Sequence, residues 1–265
     1  MRHIVSSFAF FTFCLISTAF SVETPRVIAH RGLLRHAPEN TLASFRGCLS
    51  LGAGFEVDVQ RAKDGSLVCI HDDTLNRTTN GQGHVAEQSL QQLKRLDAGS
   101  WFGTNFKDQR IPTFLEVAQL IHSSGQSSTL VAVDLKAPGI EADVIAAANQ
   151  AGVLDRLLFI GSAIRDESVR MSLRNADSSA HVACLADNPA QLGSAVGDKN
   201  SDWVYFRYLP SRTETAKVMS AGKRSFIAGP TVAGHEPVNW RRAIYSRLEA
   251  VLTDHPLEQN LLHRE

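Results

Sequence analysis

The stretch Phe55-Glu56-Val57-Asp58-Val59 alternates apolar and acidic residues with a period of two. That period belongs to a strand, and it turns Glu56 and Asp58 to one side and the apolar residues to the other. Two carboxylates held so close repel, and one takes up a proton unless a cation lies between them. The neighbouring runs repeat the pattern of an apolar strand followed by ionisable residues. Val27-Ile28-Ala29 leads into His30-Arg31-Gly32, Val68-Cys69-Ile70 into His71-Asp72, and Val131-Ala132-Val133 into Asp134-Leu135-Lys136. Burying this many charges for packing alone is unfavourable, so something must pair with them.

Further along, short apolar runs keep alternating with helical periods. The strand-like runs are 27–29, 55–59, 67–71, 130–135, 157–160, 181–185, 203–206 and 225–228. Helical spacing falls at 41–51, where Leu42, Phe45 and Leu49 share a face and Gly52 follows as a stop, and at about 114–122, 140–151, 211–222 and 238–248. Repeated strand-then-helix units imply a parallel sheet with right-handed crossovers. Eight such strands give a closed TIM (β/α)8 barrel, with a doubly wound open sheet as the architectural alternative. A ninth run, 250–252, is one too many and is assigned as an accessory strand or turn. The stretch from about 73 to 111 lacks a clear strand, carries the turn signal Thr78-Thr79-Asn80-Gly81, and reads as a small insertion after the third strand. Barrel enzymes place their catalytic groups at the C-terminal ends of the strands, where these charged residues stand.

Asp134, arriving from another strand, adds a third oxygen donor to Glu56 and Asp58. Hard oxygen ligands without cysteine suit Mg²⁺ or Ca²⁺ better than zinc. The plainer reading pairs Glu56 and Asp58 with Arg61 and Lys63. His30 and His71 suit proton transfer near neutral pH. His36, His84, His122, His181 and His235 are read as structural. Arg31 can clamp a phosphate oxygen and Lys136 can add a second point charge, or both can serve as ion-pair partners of the nearby carboxylates. No Gly-rich nucleotide loop, P-loop or nucleophile elbow is present.

Together these residues resemble the glycerophosphodiester phosphodiesterase family. The resemblance rests on His30-Arg31-Gly32, Pro38-Glu39-Asn40-Thr41, Ser44-Phe45, Glu56-Val57-Asp58-Val59, Asp64-Gly65, and His71-Asp72 with Leu75, Arg77, Thr78 and Thr79. It continues through Gly83, Leu96-Asp97-Ala98-Gly99 and Ile111-Pro112-Thr113, covering about residues 27–117 in order. It implies a TIM barrel with a small insertion after the third strand. It also implies His30 and His71 as the acid–base pair, Arg31 on phosphate, and Glu56 and Asp58 on a divalent cation. The products would be glycerol 3-phosphate and an alcohol. Three places depart from the family pattern. Asp134-Leu135-Lys136 stands where the family carries Glu-x-Lys, Ile227-Ala228-Gly229-Pro230 where it carries Trp-Thr-Val-Asn, and Gly161-Ser162-Ala163 where it carries Ser-Phe. Leu252-Thr253-Asp254-His255-Pro256 restores the pattern near the C-terminus. Two other functions compete: a phospholipase of the same barrel superfamily acting on phosphatidylinositol, sphingolipid or lysolipid, and a non-catalytic phosphate-ligand binding protein.

The whole-chain properties bound these readings. Of 265 residues, 27 are Lys or Arg and 27 are Asp or Glu, so an anionic small molecule must be held by local groups, and no basic face offers itself to nucleic acid. Residues 4–16 are mostly apolar and precede Ala19-Phe20-Ser21, which reads as a signal peptide over 1–21, a barrel domain over 22–265, and a secreted or periplasmic protein. No stable membrane span is expected after its removal. Cys48, Cys69 and Cys184 make neither a disulfide framework nor a zinc site. The sequence assigns no oligomeric state.

Overall fold

The computed structural model describes residues 24–262, so the leader expected over 1–21 lies outside the described residues. Nine strands form one sheet: β1 (Arg26–Ala29), β2 (Gly54–Arg61), β3 (Leu67–Cys69), β4 (Val131–Leu135), β5 (Leu157–Gly161), β6 (His181–Ala186), β7 (Trp203–Phe206), β8 (Arg224–Ile227) and β9 (Ala250–Thr253). Eight of them, all parallel, close into a barrel in the order β1-β2-β4-β5-β6-β7-β8-β9, with β9 returning to β1. This is the expected TIM barrel. Closure leaves no free edge among the eight staves, and they are buried almost end to end because helices cover the outer face.

Two strand assignments are corrected. The run at Leu67–Cys69 is not a barrel stave: it pairs antiparallel with the overhang of β2, with Arg61 opposite Leu67 and Val59 opposite Cys69. The run at 250–253, read as accessory, is the eighth stave. The reason lies in the connections. Only five residues, including Asp64-Gly65, separate β2 from β3, enough for a hairpin but too few for the crossover a parallel pair needs. Between β8 and β9 the chain has 22 residues and two helices, which is room for a crossover.

Local chemistry sets the helices. Thr41 caps the helix Leu42–Ser50 by accepting from the Ser44 N–H. Thr113 and Ser211 open the helices Phe114–Ser123 and Arg212–Ser220 with capping boxes completed by Glu116 and Glu214. Gly152 ends Glu141–Ala151 in the left-handed conformation (φ 67°). Inside the barrel, Ile28, Ala132, Leu158, Ala183, Trp203, Tyr205, Phe226 and Ala250 pack into one cluster. The opposite faces of the same strands pack against the helices in two further clusters. The segment after β3 builds a small core of its own from Val68, Ile70, Leu75, Val85, Leu93, Ala98 and Ile111. Cys48, Cys69 and Cys184 are buried and unbridged.

Candidate active site

Glu56 and Asp58 point into the barrel near its C-terminal mouth and are 2% and 1% exposed. Asp58 is level with Asp134 across the β2–β4 ladder. One oxygen from each of Glu56, Asp58 and Asp134 lies within 4.8 Å of the others. Burial, reinforced by Asp58 and Asp134, raises Glu56 well above the ordinary carboxylate range. Burial raises Asp134 too, against the opposing pull of Lys136. The Oδ1 of Asp134 is buried without a hydrogen-bond partner. Three hard oxygens, excess negative charge and an orphaned acceptor fit a divalent cation of the Mg²⁺ or Ca²⁺ type.

The rest of the cluster is braced. The Arg31 N–H donates to Glu56 Oε2 (2.8 Å), from a backbone turned left-handed at Arg31 (φ 53°) and Gly32 (φ 85°). Asn40, also left-handed (φ 53°), donates through Nδ2 to Asp58 Oδ2 (2.7 Å) and accepts the Asp58 N–H at Oδ1 (3.1 Å). Lys136 Nζ bridges Asp58 (3.1 Å) and Asp134 (2.9 Å). Arg31 reaches Glu39 at 3.1 Å and stands 3.7 Å from Asp58. The cations expected on phosphate are therefore also partners of the cluster, and both retain unused donors: Lys136 uses two of three N–H groups, and Arg31 leaves part of its fork open. Arg61, the plainer partner for Glu56 and Asp58, instead pairs with Asp143 at 2.8 Å.

Each imidazole is held by a carboxylate. His30 follows β1 and contacts Asp254 Oδ1 through Nδ1 (2.7 Å), the aspartate standing just beyond β9. His71 follows β3 and contacts Asp72 Oδ1 through Nδ1 (2.8 Å). Because β3 runs back along β2, the Ile70 N–H meets the Asp58 carbonyl (3.2 Å), bringing His71 down to the cluster. Arg77 ties the two sides together, donating to both oxygens of Asp72 and both oxygens of Glu39 at 2.7–2.8 Å. Its hydrogen bonds hold Asp72 well below the ordinary aspartate range. All seven residues singled out in the sequence thus meet at one mouth. Five partners went unassigned there: Glu39, Asn40, Asp72, Arg77 and Asp254. Four of them stood in the quoted Pro-Glu-Asn-Thr run and the residues after His71; Asp254 sat in Leu-Thr-Asp-His-Pro.

Gly161, at the end of β5 (φ 74°), explains why a short aspartate fits on β4. A Cβ there would lie 2.1 Å from Asp134 Oδ1 and 2.5 Å from the Leu135 nitrogen. The carboxylate occupies space that only glycine leaves open.

Comparison with known proteins points to one family. A model of the glycerophosphoryl diester phosphodiesterase family matches residues 30–228. A glycerophosphodiester phosphodiesterase of Caldanaerobacter subterraneus is 46% identical over 138 residues, covering 50% of this chain and 56% of that protein. One from Bacillus altitudinis is 40% identical over 139 residues, with the same coverage of each. The matches to these curated relatives thus span about half of their length. A phosphodiesterase from Oleispira antarctica, solved with its product sn-glycerol 3-phosphate, superposes with a TM-score of 0.75 at 27% identity, covering 91% of this chain and 98% of that one. A glycerophosphodiester phosphodiesterase structure from Agrobacterium tumefaciens shares the fold with a TM-score of 0.76 at 24% identity, over 88% of this chain and 97% of the other. On this match, over most of its length, the chain belongs to the glycerophosphoryl diester phosphodiesterase family.

Proposed function

We propose that this protein hydrolyses glycerophosphodiesters to glycerol 3-phosphate and an alcohol, with His30 and His71 as acid–base pair beside a Mg²⁺ or Ca²⁺ site at Glu56, Asp58 and Asp134. The observation that carries this reading is the pairing of two carboxylate-braced imidazoles with a buried acidic triad at one barrel mouth. A carboxylate on each Nδ1 favours the tautomer with the proton there, leaving Nε2 free to take or give a proton. One imidazole removes the proton from the attacking water or from the substrate's own neighbouring alcohol; in the second case the cyclic phosphate that forms is then opened by water to glycerol 3-phosphate. The other protonates the departing alkoxide. Arg31 and Lys136 direct their unused N–H donors at the phosphate oxygens, where negative charge grows in the transition state. The cation, when bound, supplies further charge neutralisation on those oxygens. Asn40 and Arg77 hold the machinery in register.

The test is a product assay on glycerophosphoglycerol, glycerophosphocholine, glycerophosphoethanolamine and a lysolipid, with Mg²⁺ and Ca²⁺ compared. Release of glycerol 3-phosphate from the water-soluble diesters supports the proposal. Turnover of the lysolipid alone would move the activity to the phospholipase reading. Tight binding without product would indicate a non-catalytic binding protein.

A further inference from the structure

Arg207 stands apart from the network above. It follows β7, and by the alternation that turns Trp203 and Tyr205 into the barrel it faces the same interior one step nearer the mouth. Its guanidinium lies 5.8 Å from the centre of the Tyr205 ring. Tyr205 packs in the same interior cluster as Ala132 of β4 and Ile28 of β1, the strands on either side of β2. Round the ring, β7 is four strands from β2 in either direction, directly opposite the carboxylates.

Among the described residues no carboxylate pairs with Arg207, whereas Arg31, Arg77 and Lys136 each hold two. The backbone beyond β8 is shaped around it. Gly229 has φ 113°, and a Cβ there would stand 3.0 Å from Nη1 and 3.3 Å from Cδ of Arg207. Gly229 belongs to the run that departs from the family pattern, and its lack of a side chain leaves the guanidinium its place. An arginine set over an aromatic ring on the inner side of the barrel mouth, with no carboxylate partner among the described residues, is suited to hold an anion delivered by a ligand.

We infer that Arg207 forms a second anion subsite across the mouth, and that the preferred substrates are diesters whose leaving alcohol carries an additional phosphate or carboxylate. The inference rests on the phosphodiesterase reading. Within that reading the glycerol arm is uncharged, so the extra anion must sit on the other arm. The scissile phosphate lies beside the acidic triad and the departing arm extends toward β7.

The experiment compares two diesters that differ in one group: glycerophosphoglycerol and the same molecule with a phosphate on the terminal hydroxyl of its leaving glycerol. In the wild type, kcat/KM for the phosphate-bearing diester exceeds that for the neutral one by roughly ten- to hundredfold, the worth of one charge-assisted pair. In Arg207→Gln that ratio collapses toward one, chiefly through KM. Arg207→Lys, which keeps the charge but not the planar fork, retains an intermediate ratio and covers the case in which the glutamine variant folds poorly. A wild type without preference for the charged arm, or a ratio unchanged in both variants, overturns the inference while leaving the phosphodiesterase reading intact. Absence of turnover on either diester overturns that reading and the inference together.

Discussion

Replacing Gly161 with alanine perturbs the acidic triad without touching any of its members. The new Cβ would meet Asp134 Oδ1 at 2.1 Å and the Leu135 nitrogen and oxygen at 2.5 and 2.8 Å. Ordinary contacts begin near about 3.5 Å, so the carboxylate must retreat by more than ~1 Å or the β4–β5 backbone must shift. Alanine at φ 74° adds strain of about 1–2 kcal/mol, which in a domain of this size lowers Tm by roughly 2–8 °C. A displacement of ~1 Å at a catalytic group is worth about a hundredfold in rate. Gly161→Ala is therefore expected to fold with a lowered Tm, to bind Mg²⁺ or Mn²⁺ at least about tenfold more weakly by calorimetry, and to lose roughly a hundredfold in kcat/KM. Asp134→Asn, which removes the charge at nearly constant volume, should show the same loss of cation affinity. If Gly161→Ala has a lowered Tm but wild-type cation affinity and turnover, the role given to Asp134 is refuted.

Other perturbations separate the parts. His30→Ala and His71→Ala should each reduce kcat by about 10²–10⁴-fold with the fold intact by circular dichroism, and Asp254→Asn and Asp72→Asn by a smaller factor, since they remove the orienting partner and not the imidazole. In chelated protein, Glu56 is expected to make stability fall as pH rises. Its folded-state pKa stands well above the usual 4.5, so its favourable protonated form is lost as pH climbs from there through the folded value. Divalent cation binds the deprotonated carboxylates, so the Tm gain on adding Mg²⁺ should grow across that window; a gain independent of pH would contradict it. Lys223→Met should lower stability by about 2–4 kcal/mol in urea titration and leave kcat unchanged, because the buried Nζ donates to Ala195 O, Asp198 O and Ser201 Oγ at the far end of the barrel. An activity loss in folded Lys223→Met would show that the two ends are coupled.

The barrel was legible because parallel strands covered on both faces leave apolar runs in the sequence, and the carboxylates broke those runs at a strand's period. The exchange between 67–71 and 250–252 arose because the two runs look alike in composition. Connector length separates them: five residues can only fold back, whereas 22 can cross over. The helix Glu167–Ala176 escaped notice because its buried face includes Arg170, neutralised by Asp198 at 2.8 Å, so its apolar period is broken. At the site, residues carried on strand ends were visible one by one. Their partners were not: Asp254 lies 224 positions from His30, and Arg77 lies 38 from Glu39, so only the closed barrel and the returning hairpin bring them together.

In the proposed mechanism, Glu56, Asp58 and Asp134 hold one cation between the two braced histidines. An anomalous difference map from crystals soaked with Mn²⁺ and sn-glycerol 3-phosphate decides whether they do. A single strong peak is expected within about 2.0–2.6 Å of an oxygen from each of the three carboxylates, with the phosphate between His30 and His71. A peak elsewhere, or phosphate bound at the mouth with no metal peak, would contradict it.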